Sequence, residues 1–200
     1  MAISGAWFKA RLRVQKAAAA PTVQSPAKWG RFKDIGKKQS PSEFGPAGPG
    51  KKRYMGIFNL DKLFAPQSVA VVGANERAGS VGRAVMENLA RGGFAGPVYP
   101  VNPNGGLILG KQACTSLSEI GAPIDLVVVV VAIKFAPAIM EEAGRLGVGG
   151  VIVISGGGKE AGPEGEALER DMLAAAKAHG VRIMGPNCVG ALSAPARLNA

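Results

Sequence analysis

The chain has 200 residues, 47% of them hydrophobic and 19% charged, enough for one domain with a real core. Its formal charge of +10 suggests nucleic acid or a membrane surface, but twelve of the 24 Lys and Arg and only two of the 14 acids fall in residues 1–54, so the rest is balanced. One histidine and two distant cysteines, Cys114 and Cys188, give no metal-ligand spacing and no redox pair, and no apolar run reaches transmembrane length.

Residues 1–54 are rich in Ala, Pro, Gly, Ser and Lys ("AAAAPTVQSPAKWG", "QSPSEFGPAGPGKK") and keep no apolar period. Such a composition cannot bury enough surface to offset chain entropy, which predicts a disordered basic extension. The first sixteen residues are Arg- and Lys-rich and free of acids, so a targeting peptide is conceivable. No recognition motif accompanies the charge, and the reading is no nucleic acid and no membrane. Met55 opens "MGIFNLDKLFAPQSVAVVGA", which has the form of a natural start, and places the folded domain at 55–200.

From there the punctuation is regular. "NLDKLFAP" (59–66) predicts a short helix capped by Asn59 and ended before Pro66. "SVAVVG" (68–73) predicts a strand apolar on both faces. "SVGRAVMENLARGG" (80–93) predicts a helix with Val81, Val85 and Leu89 on its buried stripe. "PVYPVNP" (97–103) is a second strand, and "IDLVVVVVAI" (124–133), the most β-branched run, belongs at the sheet's centre. A helix over 137–147, a strand over 150–156, a helix over 163–180 and a strand over 181–187 complete the series. Strands alternating with helices over short links specify an α/β fold, a doubly wound, Rossmann-like parallel sheet.

Ligands of such sheets lie outside the carboxyl ends of the strands. The candidate loops are 73–82, 102–106, 131–136, 155–160 and 185–190, three of them glycine-rich: "GANERAGSVG", "SGGGKEAG" and "GPNCVG". Glycine lets backbone N–H groups approach an anion, and a helix start after Gly79 adds a favourable dipole; packing alone also demands glycine in such turns. "GGGK" is not a P-loop, because Val153 stands where the first glycine of that motif belongs. A dinucleotide site wants an acid after the second strand, where this chain reads "VNPNGG", and its first turn is three residues longer than the dinucleotide fingerprint. NAD is disfavoured.

The stretches "NLDKLFAPQSVAVVGANERAGSVGRAVMENLARGGFAGPVYPVNP", "GVIVISGGGKEAGPEG" and "VRIMGPNCVGALSAPARLNA" resemble the N-terminal CoA-binding domain of the ADP-forming acyl-CoA synthetases, the acetate–CoA ligase type, related to the alpha subunit of succinyl-CoA synthetase. The resemblance covers about residues 57–200 and implies CoA as the bound substrate. It implies that Gly73 and the turn Ala78, Gly79, Ser80 and Val81 take the CoA phosphates, through backbone N–H groups and the Ser80 hydroxyl. Val101, Asn102 and Pro103 would line the adenosine end; Val131, Ala132 and Ile133 would flank the nucleotide and pantetheine arm beside Ser155 and Gly156. Asn187 and Cys188, in the "GPNCVG" turn, would face the thiol. Asn104 stands where many relatives carry Lys; Lys134 or Arg77 is a substitute cation, and Lys134 is equally read as a solvated helix-start residue.

The family makes ATP from acyl-CoA, ADP and phosphate through a phosphohistidine in a following domain, with ATP and Mg held in an ATP-grasp portion. Both portions are expected outside this chain, in cis or as a subunit, with the last residues leading toward them. The chain is therefore read as the CoA-holding part of a ligase, with no catalytic residue of its own; Cys188 has no histidine placed to activate it, and His179 ends a helix on the opposite rim. The alternatives are a stand-alone, non-catalytic CoA- or nucleotide-binding protein and, less favoured, an NAD-dependent oxidoreductase. Two unpaired cysteines fit a reduced, cytoplasmic setting. Limited proteolysis is expected to trim the basic segment to a core starting near Met55; a protease-resistant segment would contradict this reading.

Overall fold

A computed structural model describes residues 57–200; the basic extension expected over 1–54 lies outside the described residues. Four-residue runs dense in β-branched side chains become strands because such residues pack well on a pleated surface. They are β1 (Val69–Val72), β2 (Val98–Val101), β5 (Leu126–Val129), β6 (Gly150–Val153) and β7 (Arg182–Met184), the last of three residues. All pair in parallel in the order β2-β1-β5-β6-β7, with Val69 opposite both Val98 and Leu126. The strand predicted as central is central.

The three inner strands, β1, β5 and β6, are apolar and buried throughout because both of their faces are covered. Val69, Val71, Leu126, Val128 and Ile152 point to the layer of α1 (Leu60–Phe64) and α2 (Val81–Arg91). Ala70, Val72, Val127, Val129, Val151 and Val153 point the other way, to α3 (Ala136–Arg145) and α4 (Pro163–His179). Met140, Ala143, Met172 and Ala176 complete that second cluster.

Two features differ from the sequence reading. Asn59 does not cap α1 through its side chain; it sits at φ 57° and donates from Nδ2 to the Gly180 carbonyl, tying α1 to the end of α4 at 3.1 Å. Val81 is half exposed, while Gly82, Val85, Met86 and Leu89 form the buried stripe, so the inner face of α2 is turned by one residue from the expected one. Two short hairpins also appear, β3 (Leu107–Ile108) with β4 (Lys111–Gln112) and β8 (Leu192–Ser193) with β9 (Leu198–Asn199). Strands of two residues are too brief to show a period. The second hairpin carries Leu198 fully buried against the α2 side of the sheet.

The amino-end rim is closed by polar contacts. Ser68 Oγ donates to the Pro123 carbonyl (3.0 Å) and accepts from Asp125 N–H (2.9 Å), and the Asp125 carboxylate takes Lys62 and the Gln67 N–H, each at 2.8 Å. Opposite, α2 begins so close to β1 that a Cβ on Gly82 would lie 2.2 Å from the Gly73 carbonyl oxygen. Gly82→Ala is therefore expected to destabilise the fold by about 1–3 kcal/mol, the usual cost of overpacking, and to lower the melting temperature by about 2–4 °C per kcal/mol. Calorimetry checks it. An unchanged or raised melting temperature, the response of an open helical glycine, would show that the contact does not constrain the fold.

Candidate functional site

In chain order the sheet strands run 2-1-3-4-5, and the winding reverses between β1 and β5, where a crevice forms at the carboxyl ends. There the two strands approach closely. A Cβ on Gly73 (φ +99°) would meet Val131 Cγ1 at 2.7 Å and Val130 Cγ2 at 3.0 Å, so no side chain fits. Gly73 N–H donates to the Val101 carbonyl and Val130 N–H to the Val72 carbonyl, which fixes the three strand ends together.

The turn from β1 to α2 is organised by side chains. Ser80 is the N-cap of α2; its Oγ accepts from Arg83 N–H at 3.2 Å and donates to Asn75 Oδ1 at 2.7 Å. Ser80 is 7% exposed, so its hydroxyl proton is already engaged within the loop. Glu76 accepts from Leu109 N–H and faces Arg83 Nη1 at 3.4 Å, joining the turn to the β3–β4 hairpin. Arg83 also bonds Glu87 at 2.8 Å, which holds that carboxyl below its ordinary range. A cleft of about 400 Å³ opens beside the turn, lined by Ala78, Gly79, Ser80, Arg83, Ala84 and Glu87.

The rim glycines now divide by what surrounds them. Gly82 faces the Gly73 carbonyl, Gly165 would put a Cβ 1.9 Å from the Gly158 carbonyl, Gly185 2.2 Å from that of Val153, and Gly190 2.0 Å from that of Ala200. These are packing glycines, made necessary by backbone against backbone. Gly79 (φ +74°) has nothing within 4 Å of such a Cβ; it is needed for its left-handed conformation and leaves the turn open to an incoming group. The N–H groups of Gly79, Val81 and Gly82 have no acceptor among the described residues. The first turn of α2 carries no acid, whereas that of α4, which follows the second glycine-rich loop, carries Glu164 and Glu166, so of these two helix starts α2 is the one that offers its dipole to an anion undiminished. Of the three glycine-rich loops, the first is the one followed by an acid-free helix start with N–H groups unclaimed.

The remaining expected residues lie along the same rim. Val101 and Ile133 are buried, so only their backbone faces the crevice. Asn102 is committed on both sides, its Nδ2 donating to the Ala74 carbonyl (2.8 Å) and its Oδ1 accepting from Asn104 N–H (2.9 Å). Pro103 and Ala132 are exposed, and Val131 is half-buried. The Val131 carbonyl accepts from Ser155 Oγ, and the Ser155 carbonyl accepts from Asn187 N–H at 3.0 Å, which strings β5, β6 and the 185–190 loop together. Gly156 is exposed beside Asn187, and Glu160 accepts from Gly157 N–H, which lowers the Glu160 carboxyl below its ordinary range. Cys188 is half-buried with Sγ 3.3 Å from the Val153 carbonyl, and both cysteines are free thiols. Lys134 is exposed with Nζ 5.1 Å above the Phe135 ring.

Sequence reasoning passed over Asn75, although an Asn two residues before Arg77 in a Gly-bounded loop is the signal of a local side-chain turn; its Oδ1 accepts from Arg77 N–H at 3.0 Å. His179 lies at the far rim in the last turn of α4, its ring over Gly144 and its Nε2 3.1 Å from Glu141 Oε2. Among the described residues no group of three His, Cys, Asp or Glu could hold a metal, and no helix is long and apolar enough to cross a membrane.

The family model described as CoA binding domain matches residues 67–194. The alpha subunit of acetate–CoA ligase [ADP-forming] I from Pyrococcus furiosus is 43% identical over 146 residues, covering 71% of this chain and 32% of that protein. Acetate–CoA ligase [ADP-forming] I from Archaeoglobus fulgidus is 43% identical over 141 residues, 70% of this chain and 20% of that protein. Among solved structures, the Ca. Korarchaeum cryptofilum dinucleotide forming acetyl-coenzyme A synthetase 1, in complex with phosphate and ADP, superposes with a TM-score of 0.67 at 37% identity, covering 70% of this chain and 30% of that one. The chain thus spans between a fifth and a third of the length of these three relatives. The family model covers the whole strand-and-helix series from the strand before Gly73 to the 185–190 loop, and this chain belongs to the CoA-binding domain family, homologous to the CoA-binding region of the ADP-forming acetate–CoA ligases.

Proposed function

We propose that this chain holds CoA for an ADP-forming acyl-CoA ligase, with the diphosphate on the Gly79–Gly82 turn. The observation that carries the reading is Gly79, the rim glycine of the first loop that stands in open space, followed by a helix start with unclaimed N–H groups and no acid. Donors and a dipole bind an anion there without an abundance of cations. The adenosine end then runs toward Val101, Asn102 and Pro103. The pantetheine arm passes Val131, Ala132 and Ile133, then Ser155 and Gly156, toward Asn187 and Cys188 at the thiol end. Arg77 and Lys134, which make no ion pair among the described residues, supply cations near the crevice in place of the absent lysine. Ser80 serves the site as the cap of α2 rather than as a direct phosphate donor.

The reading places the phosphohistidine, ATP and Mg chemistry in domains or a subunit beyond this chain, and the protein in the cytoplasm. The 200-residue chain is accordingly expected to take no label from ATP and magnesium in a base-stable phosphate assay. Label on His179 would contradict the assignment of the functional rim.

Calorimetric titration of the 200-residue chain should rank CoA above NAD. NAD is disfavoured because no acid follows β2 to hold a ribose, and the Asn102 amide that stands there is already bonded at both ends inside the loops. Val81 is the position for a blocking substitution, since it is half exposed at the first turn of α2. Val81→Trp should weaken CoA by at least about tenfold, about 1.4 kcal/mol, with little change in melting temperature. Attraction of CoA to the basic residues of 1–54 alone would survive this substitution and fade with salt. Retained tight binding in Val81→Trp, or NAD bound more tightly than CoA, would refute the site.

A further inference from the structure

Asn75 makes three hydrogen bonds inside the turn that follows β1. Its Nδ2 donates to the Gly73 carbonyl at 2.9 Å, and its Oδ1 accepts from Ser80 Oγ at 2.7 Å and from Arg77 N–H at 3.0 Å. Ser80 has one hydroxyl proton. Because Asn75 takes it, the oxygen is oriented to accept from Arg83 N–H, which it does at 3.2 Å. The next carbonyl along, that of Ala74, is taken by Asn102 Nδ2 at 2.8 Å.

The result is a sorting of polar groups. The carbonyls of Gly73 and Ala74, which would repel an anion, are each turned onto an asparagine amide. The N–H groups of Arg77 and Arg83 are used to hold the loop's shape. The N–H groups of Gly79, Val81 and Gly82 are what remain for a ligand.

We propose that Asn75 is a positioning residue for the CoA diphosphate: it touches no phosphate, but it fixes the Ser80 cap and withdraws the Gly73 carbonyl from the side of the turn that carries the unclaimed N–H groups. This rests on the CoA reading above and adds to it the group that pre-organises the site. Asparagine suits the task where aspartate does not. A carboxylate offers the same two acceptors, but it has no proton for the Gly73 carbonyl and adds negative charge beside a diphosphate.

The test uses the 200-residue chain as wild type, Asn75→Ala and Asn75→Asp, with amide hydrogen exchange in the free protein, CoA titration and thermal melting on each. Asn75→Ala is expected to speed exchange at Arg77 and Arg83 and to weaken CoA by about tenfold or more, while the melting temperature falls by less than about 5 °C. Asn75→Asp should keep slow exchange at both amides, since both acceptors persist, yet still bind CoA more weakly. CoA affinity in Asn75→Ala within about twofold of wild type would overturn the inference alone. Weakened CoA with unchanged exchange would overturn it too, by showing direct contact in place of positioning. A wild type that binds no CoA would overturn the functional reading and this inference with it.

Discussion

The contact on which the rest depends is the approach of β1 to β5 at Gly73. With Val130 and Val131 filling the space where a Cβ would stand, the two strands close at their carboxyl ends and the chain must turn outward there. The same glycine presents its carbonyl to Gly82, so close that a Cβ on Gly82 would lie 2.2 Å from the carbonyl oxygen. Backbone contact on both sides leaves the turn between them one course, over the rim, with the first turn of α2 aimed into the crevice. Packing and function therefore share one constraint. A larger residue at either position would shift the helix start and with it the N–H groups proposed to hold phosphate.

That arrangement explains how a site for a highly charged ligand persists with few cations around it. Orphan N–H groups at a helix start carry partial positive charge that needs no counter-ion. The acids nearest the turn are already paired, Glu76 with Arg83 and a backbone donor, Glu87 with Arg83 and Arg91. Their pairing removes repulsion from the approach without bringing a cation into the crevice itself. The glycine loop before α4 lacks these properties. Glu160 and Glu169 occupy its N–H groups, at Gly157 and Lys159, and two more acids stand in the first turn of the helix.

The order of elements was legible because each inner strand is a dense β-branched run and each main helix has a clear stop; Gly180 ends α4 in the left-handed conformation expected of such a glycine. The rim carrying the candidate residues was legible from the same alternation. What the sequence did not show was direction within the rim. Nothing in "GANERAGSVG" says that Gly82 packs while Gly79 stays open, since that depends on where the Gly73 carbonyl lies. Ser80 read as a phosphate donor because a hydroxyl at a helix start suits either role, and its engagement by Asn75 is a contact five residues away. Val81 read as core because the stripe 81, 85, 89 is as regular as 82, 85, 89, and only tertiary packing chooses between them.

The rim is also graded in polarity from one side to the other. At the ends of β1 and β2 stand Asn75, Ser80 and Asn102, polar and held by hydrogen bonds, beside the unclaimed N–H groups of Gly79, Val81 and Gly82. Toward β5, β6 and β7 apolar groups join the polar ones: Val131, Phe135, Cys188 and the fully exposed Val189 stand beside Lys134, Ser155 and Asn187. A uniform anion such as inorganic phosphate would use only the first half of this surface. A ligand with phosphates at one end and a long, weakly polar arm at the other would use all of it, in the direction that brings its far end to the 185–190 loop. Burying that arm contributes roughly 25 cal/mol for each Å² of apolar surface removed from water, while the donors at Gly79 fix where it begins. This distribution supports the proposed placement of CoA along the rim, and it follows from the order of strands in the sheet rather than from any single residue.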